Sequence, residues 1–363
     1  MRRHTRSTAS VVALSLLLSG SAAQAVTIDW VTVGNPGNTA DTLVMINDGT
    51  SGYGSVGYAY RISKHEVTNT QYAEFLNAVA STGQLDPNAL YDTNMGSDPR
   101  GGITRTISGP NFTYAAKADM GNKPVNYITW YDAVRFANWL HNNQPTGPQV
   151  AGTTEGGAYT LTGLTSISGG RALSATVFLP SENEWYKAGY HEPGADTNDY
   201  WLYPTRSNAS PTVAAANATG DISNPSPTYP SPNGVANYLS GADWNSQDGN
   251  VTTVGTAGAG SASFYGTFDQ GGHLWEWNEA IIGGSDRAIR GGSWNNDSSI
   301  VAASFRLNVN PGVGDNTFGF RVASTAAEAV PEPSTFVMAG LGLLGLGFVA
   351  LRRSIPGLNA LRT

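Results

Sequence analysis

The chain has 363 residues, enough for one large domain or two ordinary ones, and its 13% charged residues against 44 glycines, 9 tryptophans and 16 tyrosines favour loops and aromatic packing over long surface helices. Setting aside the six arginines at the ends (Arg2, Arg3, Arg6, Arg352, Arg353, Arg362) leaves 14 basic residues against 27 acidic ones, a net charge of −13 that argues against nucleic-acid binding and suits cations better. The absence of cysteine excludes disulfides, thiolate metal sites and thiol nucleophiles.

Residues 1–25 have a basic start, an apolar run from Val11 to Leu18 and the small-residue end Ala23-Gln24-Ala25. That is the layout of a secretory signal peptide cleaved before Val26, and it predicts export. From Val26 to Ile62 the pattern is short and strand-like: Thr27 to Val33 alternates, Leu43 to Ile46 is a compact apolar run, and Tyr58 to Ile62 follows. Thr68 and Gln71 form a capping box opening a helix with Tyr72, Phe75, Leu76 and Val79 on one face. Just before it stand His65 and Glu66, read as structural because no second histidine lies at metalloprotease spacing.

Gly83 to Gly121 reads as a long loop. Thr129 can cap a helix carrying Trp130, Ala133, Val134, Ala137 and Leu140 on one side, with His141 at its end to complement the dipole. After a Gly/Thr-rich connection over 142–170, Ser181 and Glu184 form a second capping box, with Gly189 placed to stop the helix. Glu182 and Glu184 are assigned to first-turn stabilisation rather than to paired acid catalysis. Arg206 to Asn233 is rich in Ser, Pro, Ala and Asn, as a surface loop should be.

The stretch from Phe264 to Ala280 interleaves aromatics and glycines so tightly that neither helical nor strand periodicity survives, which predicts a loop bent around something. Asp269 and Glu276 bracket the bend, and Gly271 and Gly272 permit positive φ between them. Carbonyls could then turn inward beside the carboxylates to make the oxygen cage that calcium prefers, and a glycine-rich loop with two solvated acids is equally consistent with the spacing.

Tyr265-Gly266, Asp269, Gly272 and Trp275-Glu276-Trp277, with Arg290-Gly-Gly-Ser-Trp294 and Gly319-Phe320-Arg321 downstream, resemble the signature of the sulfatase-modifying-factor, or formylglycine-generating-enzyme, domain. Glu66-Val-Thr-Asn69, Pro124 to Trp130 and Leu179-Pro-Ser-Glu-Asn-Glu-Trp185 resemble its other motifs. The resemblance implies a C-type-lectin-like α+β fold with few regular elements over residues 26–326, and bound calcium. One ion would be held by Asp269, Gly272, Leu274 and Glu276, with His273 standing where the family usually has asparagine. A second would be held by Asn237, Tyr238, Asp248 and Asn250. Arg306 and Arg321 are expected to pair with buried acids or carbonyls.

Formylglycine generation in that family depends on two cysteines that bind copper, and the corresponding positions here fall on Asn296 and near Val301. An amide and an aliphatic side chain cannot act as soft ligands for Cu(I), so no copper is expected. The resemblance extends to iron-dependent sulfoxide synthases, whose metal-binding histidines come mainly from an extra helical domain, and His65, His141 and His191 show no facial-triad spacing. Two readings remain: a non-catalytic surface module binding a glycan, peptide or matrix partner, or an enzyme of another chemistry in the same cleft.

Residues 327–363 differ in composition. Pro331-Glu332-Pro333 precedes the apolar run Phe336 to Leu351 and the pair Arg352-Arg353, which together resemble the PEP-CTERM sorting signal processed by an exosortase-type protease. The run has about the shortest length able to span a membrane, and it predicts a C-terminal transmembrane helix with the arginines inside before processing. Gly340-Leu-Gly-Leu-Leu-Gly345 within it fits a dinucleotide fingerprint by letter, but no strand-helix-strand unit surrounds it.

Overall fold

Short polar side chains set where the helices begin. In a computed structural model, which describes residues 25–81, 86–195, 197–229 and 233–325, the helices are α1 (Asn69–Val79), the single turn α2 (Asn94–Ser97), α3 (Trp130–His141) and α4 (Glu182–Tyr190). Thr68, Thr129 and Ser181 sit in extended backbone at the N-caps of α1, α3 and α4. Each closes a full capping box, with Gln71, Asp132 and Glu184 respectively. Such a cap is worth about 0.5–2 kcal/mol, and it fixes helix entry without help from distant sequence. The faces behind the caps bury as the spacing predicts: Tyr72 and Phe75 of α1 meet Phe136 of α3 at ring-centroid distances of 6.0 and 5.4 Å.

The strands are short and fall mainly into two four-stranded sheets. One runs in the order Trp30–Val33, Tyr60–Ser63, Ala323–Thr325, Val177–Phe178, which brings the early and late parts of the domain side by side. The other runs Leu307–Val309, Asp286–Arg290, Trp275–Ile282, Phe318–Gly319, antiparallel except for its last pair. Trp130, Trp277, Phe320 and Ile289 lie fully buried in the main core. The fold is α+β with few helices, and the described residues up to Ser324 gather as one unit.

Five expectations need correction. The stretch from Phe264 to Ala280 is not all loop, since Trp275–Ile282 is a strand. The first four residues of that strand are all buried, so it lacks the alternation that marks a half-exposed strand. Leu43 to Ile46 forms no strand: Met45 is buried while Val44 and Ile46 are exposed. The supposed loop over 83–121 contains α2 and the hairpin Ile103–Ser108 with Asn111–Ala116. The connection over 142–170 contains the hairpin Thr160–Gly163 with Ser166–Ser168. Gly189 does not stop α4, which continues through Tyr190; a Cβ at Gly189 would lie 3.2 Å from Gln270 Nε2, so the glycine serves a close approach. The expected signal peptide and the apolar run 336–351 lie outside the described residues. Among the described residues, no helix is long and apolar enough to cross a membrane.

Candidate functional site

Three segments converge: the turn after Tyr60–Ser63, the loop leading into Trp275, and the loops on either side of Asn237 and Asn250. Gly272 makes the convergence possible, because at φ 84° it has no Cβ where one would lie 2.2 Å from the Asn237 carbonyl. The His273 amide then donates to that carbonyl at 2.7 Å, and the Trp294 amide donates to the His273 carbonyl at 2.9 Å.

Of the first expected calcium set, Glu276 is committed elsewhere. Its Oε2 accepts from Arg321 Nε at 2.6 Å and Trp185 Nε1 at 2.7 Å, and its Oε1 accepts from Arg321 at 2.7 Å. Arg321 also reaches the carbonyls of Ser63, Lys64 and Phe268. The paired-arginine expectation holds here, and again where Arg306 and Arg290 each meet Glu182 at 2.7 Å. In the expected set Asp269, Gly272, Leu274 and Glu276, the charge of Glu276 is thus already balanced by a buried guanidinium, which weakens its pull on a calcium ion.

Asp269 turns instead toward Glu66. Asp269 Oδ2 accepts from the Gly255 amide at 2.7 Å, and among the described residues Glu66, Asp269 and His273 form a group whose potential metal-ligating atoms all lie within 4.8 Å of one another. His273 Nδ1 lies 2.6 Å from Glu66 Oε2, while Nε2 lies 2.9 Å from both the amide and the carbonyl of Thr252. Burial alone would push the imidazole down, but the adjacent Glu66 carboxylate outweighs it and holds His273 up at about 9. Burial raises Glu66 to about 7 against the pull of His273. Reading Glu66 as structural from sequence missed this partner, 207 positions away. The available signal was a histidine at the family's asparagine position, inside a loop already singled out.

In the second expected set, Asn237 and Asn250 are buried and Asp248 is exposed. Asn237 Nδ2 donates to the Asn250 carbonyl at 2.8 Å, and Asn237 Oδ1 is buried with no hydrogen-bond partner. The Tyr238 carbonyl accepts from Gly241 at 3.2 Å, and the Asp248 carbonyl takes a bond from Arg100. A buried amide oxygen without a partner is a donor that suits a hard cation.

The stretch 294–301 carries amides, hydroxyls and apolar contacts. Asn296 Oδ1 accepts from the Ser293 amide at 2.9 Å and its hydroxyl at 2.8 Å, Val301 is buried beside Tyr203 and Tyr238, and the Arg100 guanidinium lies 4.5 Å from the Trp294 ring centroid. Asp297 points outward and accepts from Ser299, which holds it below the usual carboxylate range. His65, His141 and His191 lie on separate elements: His65 packs on Phe268 and against Gly255 at the edge of the Glu66–Asp269–His273 cluster, His141 Nδ1 meets Thr176 at 2.8 Å, and His191 Nδ1 meets Tyr265 at 2.8 Å.

Residues 32–326 match the sulfatase-modifying factor enzyme 1-like domain, and residues 329–354 match the PEP-CTERM protein-sorting motif. A curated relative, hercynine oxygenase of Mycolicibacterium smegmatis, is 24% identical over 283 residues, covering 68% of this chain. The chain spans about half (49%) of that relative's length. Among solved structures, CarF is 19% identical with a TM-score of 0.48, covering 83% of this chain and 99% of its own. PvdO from Pseudomonas aeruginosa is 14% identical with a TM-score of 0.43, covering 82% and 94%.

Proposed function

The chain belongs to the sulfatase-modifying factor enzyme 1-like family and carries a PEP-CTERM sorting motif, and from that premise we propose that it is a non-catalytic, exported module that binds a glycan outside the cell. The sorting motif implies export, envelope association and processing by an exosortase. The observation that carries the non-catalytic reading is the make-up of 294–301. Where the family's oxidase chemistry would need two thiolates, this chain has an amide folded back on Ser293 and a packed valine, and neither can replace a thiolate as a soft ligand for Cu(I). Fold alone does not supply the missing chemistry.

A glycan is the ligand class supported by a cavity of about 280 Å³ where half-buried Trp201 and Leu202 meet Asp41, Thr42, Asn198 and Asn208. An indole face beside amides and hydroxyls suits a sugar ring, which offers an apolar face and a rim of hydroxyls. Glycan-array binding of the purified protein tests this: binding should fall about tenfold or more in Trp201→Ala. No glycan bound by the wild-type protein, or equal binding by the variant, removes the reading.

The reading includes one calcium ion at Asn237, Tyr238, Asp248 and Asn250, supported by the unpartnered Asn237 oxygen, and none at Glu276. The ion would tie the two loops together. A calcium-selective chelator should then lower the melting temperature, and an unchanged melting temperature counts against the ion.

The reading also has the apolar run 336–351 hold the chain in the inner membrane, with Arg352 and Arg353 inside, until it is cut near Pro331-Glu332-Pro333. Mass spectrometry of envelope and extracellular fractions checks this. Intact protein still carrying residues 354–363 in cells with an active sorting protease would mean a permanent anchor.

A further inference from the structure

We propose that Glu66, Asp269 and His273 form a binding site for one divalent transition-metal ion, zinc foremost, distinct from any calcium held by Asn237 and its neighbours. Their ligating atoms already lie within 4.8 Å of one another, so small side-chain shifts would bring all three to the bond lengths of about 2.0–2.2 Å that zinc takes with imidazole and carboxylate. The donor set is one nitrogen and two carboxylate oxygens. Calcium takes oxygen ligands, six to eight of them, whereas an imidazole with two carboxylates suits a first-row metal.

Two further observations point to a ligand. Glu66 is buried, and its Oε1 has no hydrogen-bond partner although the other oxygen lies against His273. An orphaned carboxyl oxygen in the interior is costly, and a cation in the cluster would satisfy it. The imidazole is also oriented as a metal ligand would be. Nδ1 faces the carboxylate, and Nε2 sits 2.9 Å from both the amide and the carbonyl of Thr252, so the backbone fixes the ring, and with Nδ1 on the metal the Nε2 proton goes to the carbonyl, the kind of acceptor that holds a ligating histidine. The Gly255 amide fixes Asp269 in the same way. In the apo state a proton between Nδ1 and Oε2 occupies the place the metal takes, and three protein ligands leave a fourth position for water.

The test uses the purified full-length chain, stripped of metal, loaded with Zn²⁺ and desalted. About one zinc per chain should be retained in the presence of excess calcium. Cobalt loaded in its place should give visible absorption that zinc abolishes. His273→Asn, which restores the family's residue, and Asp269→Asn should each weaken zinc binding about tenfold or more while near-ultraviolet circular dichroism stays native. Should either variant misfold, X-ray absorption of zinc in the wild-type protein decides: one imidazole among oxygen donors supports the site, while an all-oxygen shell or several imidazoles overturns it. Failure of the wild-type chain to retain zinc, or undiminished binding in both folded variants, also overturns it.

Discussion

Glu276 and Glu66 are both buried carboxylates beside the same loop, and their surroundings differ in kind. Glu276 accepts from both arms of Arg321 and from Trp185, so both oxygens are engaged and the cation that balances it is part of the chain. Glu66 has an imidazole on one oxygen and nothing on the other. A pair whose charge is balanced within the chain holds two segments in register and needs no added cation. An unsaturated carboxylate has an oxygen left for a cation, and that cation can be exchanged.

The same substitution at both sites should separate them. Glu276→Gln leaves a buried guanidinium that cannot lose its proton, and breaking such a pair costs about 3–5 kcal/mol. Urea denaturation should show this as the largest single loss in the domain. Replacing both partners, Glu276→Gln with Arg321→Met, should recover part of it, because the uncompensated charge is gone. Glu66→Gln, measured with chelator present, leaves an imidazole that can discharge by deprotonation, so the cost should fall to about 1–3 kcal/mol. Equal losses at the two sites would mean that the difference in saturation has no energetic consequence.

The two buried imidazoles sharpen the contrast. His273 is raised by its carboxylate, whereas the ring nitrogens of His191 face a tyrosine hydroxyl and an asparagine amide, and burial, with Lys187 adding to it, outweighs Asp199 and Glu192 and pushes it down to about 4. The folded state therefore favours neutral His191. As pH falls below the ordinary value near 6.5 the unfolded chain takes the proton first, so this contribution is present above 6.5 and lost on the way to 4. His191→Gln should flatten the fall in stability between pH 6.5 and 4 by an amount on the order of 1 kcal/mol, read from urea midpoints across that range.

What was legible in the sequence was local. Thr68, Thr129 and Ser181 announce their helices because a cap and its partner lie three residues apart. The family motifs located Glu276, Arg321 and the loop between the sheets. The Glu66–His273 contact was not legible, since no periodicity links residues 207 positions apart, and the motif reading treated His273 as a departure rather than as a partner. The hairpin Ile103–Ser108 with Asn111–Ala116 was missed for a different reason: most of its residues are exposed or half-exposed, so polar residues and a Gly-Pro turn masked the alternation.

The smallest expected effect concerns the wall of α4 that faces this loop. Gln270 donates through Nε2 to the Trp185 carbonyl at 2.9 Å and accepts from the Thr267 hydroxyl, so its amide is held on both sides. Gly189 faces that amide, with a Cβ position 3.2 Å from Nε2 and 3.3 Å from the side-chain carbon. Alanine inside a helix gains up to about 1 kcal/mol over glycine, but here the methyl must displace a fixed amide by a few tenths of an ångström. The two terms oppose each other, and Gly189→Ala should change stability by less than about 0.5 kcal/mol. A clear gain would mean that Gln270 yields freely and the loop is not held against α4. A loss above about 1 kcal/mol would mean that the packing here is as rigid as that around Glu276.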